Sequence, residues 1–275
     1  MSKIAVIGMV GNSAFLSVPQ FHRGGETVTA ENVHFEPGGK GFNQAVAAAR
    51  FGAEVSFLGA VGEQGGAEIA AFAAAEGIDA SFPAKAGQTA YAAILTDRTG
   101  ANHVTVYQGA PLTVEDVDTF ADRIAAADIL LLNNEVPEAV NVRAVEIAKE
   151  YGVRVILNPA PARATCAYLL ETVDLFTPNE FERIALGNQT NMIVTLGEKG
   201  SLLVAENVIV PARSLGPTVD TTGAGDTFSG VLAAKWAEGV ALQQAAECAA
   251  LAAGISVTRP YAATSIPTRN EMDQY

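Results

Sequence analysis

Short apolar runs alternate with longer helical stretches along the whole of this 275-residue chain. Residues 4–8, 55–60, 128–132, 153–157, 174–176 and 192–196 read as strands, and the apolar run 125–132 is too short to be more than a buried strand. Residues 40–51, 67–76, 138–151, 225–238 and 242–257 read as helices, several rich in alanine (Ala45, Ala47, Ala48, Ala49) and so able to pack closely. Such an order predicts an α/β fold: a mostly parallel central sheet flanked by helices. No internal repeat, low-complexity tract or linker interrupts it, and the expectation is a single domain over 1–275.

Two stretches break the rhythm. Residues 25–36 alternate polar and apolar side chains (Thr27, Val28, Thr29, Val33, Phe35), and 89–107 do the same around a turn at Asp97-Arg98-Thr99-Gly100. Both read as antiparallel strands with one face in solvent. They fit a small sheet able to cover a site, with lid strands from about 14–36 and 88–108, and equally an extension of the main sheet's edge.

A hydrophobic content of 49% supports a large core, and a net charge of −13 argues against nucleic acid or an anionic membrane as partner. Cys166 and Cys248 form neither a disulfide framework nor a metal cluster, and Cys248 reads as an inert buried thiol. The apolar start, residues 4–7, is too short for a signal peptide. No segment approaches the roughly 18 apolar residues of a membrane span, so the expected setting is cytoplasmic.

The chemistry concentrates at Asp220-Thr221-Thr222-Gly223-Ala224-Gly225-Asp226, where a helical pattern follows at once. The first N–H groups of a helix lack partners within it and lie at the positive end of its dipole. Glycines let a ligand approach that backbone closely, which makes an anion hole for a phosphoryl group in flight. A carboxylate in the same turn can take a proton from an attacking hydroxyl. A lone Asp in a first helical turn is commonly there for the dipole alone. Two Gly, two Asp and three Thr within eight residues point to function.

A second glycine run, Gly38-Gly39-Lys40-Gly41-Phe42-Asn43-Gln44, also opens a helix. It is no nucleotide P-loop, because Gly41 follows the lysine. It fits a tight packing turn as well as a surface offering N–H groups, Lys40 and Asn43 to a hydroxylated ligand. Asn133, Asn134, Glu135, Asn158, Asn179, Glu180, Glu182 and the run 195–200 follow strand ends. There they form a polar rim where open α/β sheets bind ligands.

Together these motifs resemble the ribokinase-like, PfkB-type family of carbohydrate kinases over nearly the whole chain. Residues 37–62 match its first signature and 219–233 its second. The runs 38–50, 158–162, 177–180 and 256–259 are most similar to the family's ribokinase branch. The resemblance implies a three-layer fold with a β-sheet lid that also forms a homodimer interface. It implies ATP-dependent phosphorylation of a hydroxymethyl group on a sugar or sugar-like molecule. Asp226 is then the base, and Gly223, Ala224 and Gly225 the anion hole. Gly39, Lys40, Gly41, Asn43 and Glu135 line the acceptor site. Asn179 and Glu182 lie near the triphosphate and its Mg²⁺, and Thr195, Gly197, Glu198, Lys199, Gly200 and Gly225 border the nucleotide. Oxygens of Asp220, Thr222, Ser256, Arg259, Tyr261 and Ser265 surround an activating K⁺.

Four departures stand out. The ribokinase branch follows its first strand with Gly-x-x-Asn-x-Asp, whose Asn and Asp hold sugar hydroxyls. Here Gly11 and Ser13 occupy those substrate-binding places, with Asn12 between them as a partial substitute. Only residues 187–191 stand where family members carry a further helix. Ala250 replaces an adenine-site Asn, and Tyr261 a usual Gly. The altered pair keeps open a nucleoside kinase of the same fold, or a metabolite binder without catalysis. A dinucleotide oxidoreductase has only the fragment Gly8-Met9-Val10-Gly11 in its favour.

Overall fold

The computed structural model describes residues 1–99, 101–272 and 274–275. In chain order the first half runs β1 (Lys3–Ile7), β2 (Gly11–Ser17), β3 (Asn32–Gly38), α1 (Lys40–Arg50), β4 (Glu54–Leu58), β5 (Val61–Gln64), α2 (Ala67–Ala75), β6 (Asp79–Ser81), β7 (Ala84–Gln88), β8 (Ala90–Thr96) and β9 (Asn102–Tyr107). The second half runs α3 (Val114–Thr119), α4 (Ala121–Ala125), β10 (Ile129–Asn133), α5 (Glu138–Glu150), β11 (Arg154–Asn158), α6 (Ala167–Thr172), β12 (Leu175–Phe176), α7 (Glu180–Leu186), β13 (Ile193–Thr195), β14 (Ser201–Leu203), β15 (Val208–Val210), α8 (Ala224–Ala237), α9 (Leu242–Ser256) and α10 (Arg269–Met272).

The main sheet has the order β12-β11-β10-β1-β4-β6 and is parallel throughout. Its central strands are apolar on both faces because helices cover both. Ile4, Val6, Phe57, Leu131 and Ile156 pack with α1, α8 and α9 on one side. Ala5, Ile7, Leu130, Leu132 and Leu157 pack with residues of α3, α4 and α5 on the other. Alternation along each strand thus divides one hydrophobic run between two cores, giving the three layers. The strand expected over 192–196 is β13, which leaves the parallel pattern. It runs antiparallel to β14 and meets the main sheet through one parallel bridge, Phe176 to Met192.

Small residues set the spacing of α1 and α8. A β-carbon on Gly230 of α8 would lie 2.6 Å from Cβ of Ala47 of α1, so only glycine permits this approach. The N-termini of both helices consequently meet above the carboxyl ends of β1, β10 and β11.

A second, mixed sheet has the order β3-β2-β8-β9. The two alternating segments join one sheet without pairing to each other, because β2 lies between them, antiparallel to β3 and parallel to β8. The lid strands expected within 14–36 are β2 and β3, and the alternating stretch 25–36 is a strand only from Asn32 onward: residues 18–31 form no strand, the chain turns at Gly25, whose φ is 83°, and no neighbouring strand borders Thr27–Thr29. Gly100, the last residue of the expected turn, lies outside the described residues. Val33, Phe35, Val104, Val106 and Tyr107 of this sheet are exposed. The bare stretch 187–191 leaves Phe181 and Ile184 of α7 80% and 78% exposed. Among the described residues no helix is long and apolar enough to cross a membrane.

Candidate active site

Asp226 sits in the first turn of α8 and is 6% exposed. Gly223 caps the helix in the left-handed region (φ 77°), which turns the chain so that the N–H groups after it lead the helix. No heavy atom lies within 4 Å of where a Gly225 β-carbon would stand, so this backbone is open to a ligand. An acid here also suits the positive end of the helix dipole.

Both carboxylate oxygens of Asp226 are held from the other glycine turn. Asn43 Nδ2 donates to Oδ2 at 3.1 Å and Gln44 Nε2 to Oδ1 at 3.3 Å. Gln44 Nε2 also donates to Asn158 Oδ1 at 3.1 Å, and Asn158 Nδ2 to the Thr177 carbonyl at 2.7 Å. Thr177 and Ser229 hydroxyls lie 3.0 Å apart. A chain of polar groups thus runs from β11 and β12 to the carboxylate and fixes its orientation. Asn43 Oδ1 and Gln44 Oε1 remain buried without partners. Beside Asp226 these acceptors suit a hydroxyl donor.

Gly39 precedes α1 with φ 101°, and Gly41 lies against Gly8, its would-be β-carbon 2.6 Å from the Gly8 Cα. That contact seats the turn directly on the end of β1. Lys40 N donates to Glu135 Oε2 at 2.7 Å. The charge of Asp226, chiefly, holds the Lys40 ammonium above its ordinary range against the opposing effect of burial, with Glu135 and Glu182 adding to it. Burial first, then the Asp226 charge, pushes the Glu135 carboxyl up to about 7. Burial likewise raises Glu182. Glu135, Gly8, Met9 and Asn134 also border a cavity of about 260 Å³.

Asn179 and Glu182 close a capping box at the start of α7, with Asn179 N donating to Glu182 Oε2 at 2.8 Å. Thr195 bridges to Asn179, and Gly197–Lys199 form a tight exposed turn closed by Leu196 N donating to the Gly200 carbonyl at 2.7 Å. These residues make a rim with no hydrogen bond to the Asp226 cluster among the described residues. Asp220 Oδ1 accepts from Thr222 N and Oγ1, and Oδ2 accepts from Tyr261 N at 3.2 Å. The loop from Ser256 to Ser265 therefore folds against Asp220. The Arg259 side chain is engaged by Glu271, its Nη2 donating to Oε1 at 2.7 Å.

Gly11 and Ser13 are brought near the acceptor turn but offer it little. A β-carbon on Gly11 would collide with the Ala90 carbonyl, and Ser13 Oγ lies against Gly38. Asn12 Nδ2 donates to the Gly65 carbonyl at 2.8 Å. Sequence reasoning passed over Gln44, although it lies within the quoted glycine motif. A fully buried Gln needs partners, and its burial is a property of the α1–α8 contact.

Residues 1–269 match the pfkB family of carbohydrate kinases. The chain belongs to that family. It is 36% identical to the ribokinase of Haemophilus influenzae over 98% of this chain and 96% of that one. A solved ribokinase from Thermotoga maritima superposes with a TM-score of 0.87 at 32% identity, covering 100% of this chain and 99% of that one. The ribokinase of Arabidopsis thaliana, solved with ribose and ATP, gives 0.86 at 25% identity over 100% and 98%. The protein is an ATP-dependent sugar kinase of the ribokinase-like fold.

Proposed function

We propose that this carbohydrate kinase phosphorylates a hydroxymethyl group, with Asp226 as the base. The carrying observation is that one buried carboxylate at a helix N-terminus is gripped by Asn43 and Gln44, more than 180 residues away in sequence. The acceptor lies over Gly39, Lys40, Gly41 and Asn43, beside Glu135. Asp226 takes its hydroxyl proton as the oxygen attacks the γ-phosphorus. N–H groups of Gly223, Gly225 and Asp226 stabilise the transferring phosphoryl group, which leaves ADP, while that of Ala224 donates to the Thr221 carbonyl at 3.2 Å and holds the turn. Thr195 and the 197–200 turn border the nucleotide. The strands β2, β3, β8 and β9 act as a lid on a single domain.

The donor sets fit both expected metals. Glu182, beside Lys40 and Asp226, and Asn179 would serve Mg²⁺, which neutralises phosphate charge when bound with ATP. Asp220, Thr222, Ser265 and backbone oxygens of Ser256, Arg259 and Tyr261 are hard donors gathered by the Tyr261–Asp220 bond, and they suit K⁺. The exposed apolar face of the lid supports a homodimer. ATP use supports a cytoplasmic setting.

The acceptor class is where a second reading enters. With Gly11 barred from carrying a side chain and Ser13 packed on Gly38, the lid root lacks the pair that holds ribose hydroxyls in the resembling branch. A nucleoside or an unusual sugar fits that loss. An ADP-release screen over pentoses, hexoses, their phosphates and nucleosides, with Mg²⁺ and with or without K⁺, decides between the two. Release stimulated by none of them would overturn the kinase assignment.

A further inference from the structure

One buried carboxylate outside both glycine motifs ties the lid to the phosphoryl-transfer turn. Glu36 lies near the end of β3, and its side chain is 2% exposed. Its Oε1 accepts from Ala262 N at 2.8 Å and Ala263 N at 3.0 Å. Its Oε2 accepts from Thr264 N at 3.0 Å and Thr264 Oγ1 at 2.7 Å. Three consecutive N–H groups thus converge on one carboxylate, each bond strengthened by its charge. His34, on the same strand, stacks on Tyr261 with ring centroids 3.8 Å apart.

Two contacts carry this anchorage onward. Tyr261 N holds Asp220 Oδ2, while Asp220 Oδ1 holds Thr222 just before the glycine turn. Ala262 itself backs onto that turn: a β-carbon on Gly223 would lie 3.2 Å from the Ala262 Cβ. In the other direction β3 leads straight into Gly39, Lys40 and the two amides that grip Asp226. The acceptor turn, the loop 261–265 and the turn 220–226 therefore form a closed ring, and Glu36 is the link that joins lid to loop.

We infer that Glu36 is a positioning residue that makes the alignment of the 223–226 turn depend on the seat of the lid. A shift of β3 must carry the loop with it or break four hydrogen bonds, so closure of the lid over an acceptor reaches the anion hole through Glu36. The inference rests on assigning 223–226 to phosphoryl transfer.

The test uses Glu36→Gln, which keeps size and removes charge, and Thr264→Val, which removes one bond from the far side. Glu36→Gln is expected to lower kcat about 10–100-fold, with KM for ATP and acceptor within about threefold, and Thr264→Val to lower kcat less. The combined loss should be smaller than the product of the two, because both act on one link. Wild-type kcat in a folded Glu36→Gln variant, or a loss confined to KM, overturns the proposal. Hydrogen exchange reads the same link without turnover, and so stands even if the kinase assignment fails. The amides of Ala224 and Thr227, bonded to Thr221 and Gly223, should exchange about tenfold faster in Glu36→Gln. Faster exchange restricted to 262–264 would make Glu36 a local loop cap and overturn the coupling. If Glu36→Gln does not fold, Thr264→Val carries both readouts, and unchanged values there overturn it equally.

Discussion

The two halves of the cleft are built to different standards. Around Asp226, both carboxylate oxygens have partners, one of those partners, Gln44, is itself held by Asn158, and the helix N-terminus faces open space at Gly225. Across from it, the root of the lid offers backbone and small side chains: Gly11 against Ala90, Ser13 against Gly38, Asn12 bonded to Gly65. Phosphoryl transfer makes the same demands whatever the acceptor, and its half carries a carboxylate, its amide partners and an open helix N-terminus together. Acceptor recognition depends on pocket shape, and that half offers few polar side chains to fix it.

The comparison can be broken or sharpened at several points. Asp226→Asn should lower kcat by about 10²–10⁴-fold while ATP binding, measured by calorimetry, stays largely intact. Turnover like the wild type would dismiss Asp226 as base. Gln44→Ala removes one of its two grips and leaves Asn158 Oδ1 without that donor. A kcat loss of about 10–100-fold is expected from steady-state kinetics. At the other half, Gly11→Asn, which restores the branch's residue, should fail to restore a ribose site. The new side chain meets Ala90, and denaturant unfolding should show a loss of about 1–3 kcal/mol. A stable variant with gained ribose turnover would show that the strands β2 and β8 can part.

The smallest effect tests the electrostatics that join the halves. Glu135 has its carboxyl raised to about 7, first by burial and then by Asp226. A group that binds its proton more tightly when folded stabilises most below its unfolded value, and that stability is lost as pH rises through the folded value. Between about pH 4.5 and 7 the wild type should therefore lose roughly 1–3 kcal/mol relative to Glu135→Gln, read from paired melting curves. Parallel curves across that window would place Glu135 in a wetter site than its burial indicates.

Much of the fold was legible because it rests on local signals. The continuous apolar strands, the helix starting at Lys40 and the one opening after Gly223 each carry their pattern within a dozen residues. The true start of the strand expected over 25–36 was not legible, since alternation at Thr27–Thr29 resembles a strand that happens to have no neighbour. Gln44 and Glu36 were passed over for a related reason. Each is ordinary in its own segment and acquires a role through partners about 180 to 230 residues away.

Residue order alone determined the class of chemistry here. A glycine turn with an Asp at a helix start presents N–H groups and a carboxylate wherever that helix is placed, because both come from the local backbone. Placement belonged to the tertiary structure. Gly230 against Ala47 brings α1 to α8, so that Asn43 and Gln44 reach Asp226. The pairing of β2 beside β8, which sets Gly11 against Ala90, closes Gly11 to any side chain. Close packing between distant segments decides which polar groups face the cleft, and no single segment carries that information.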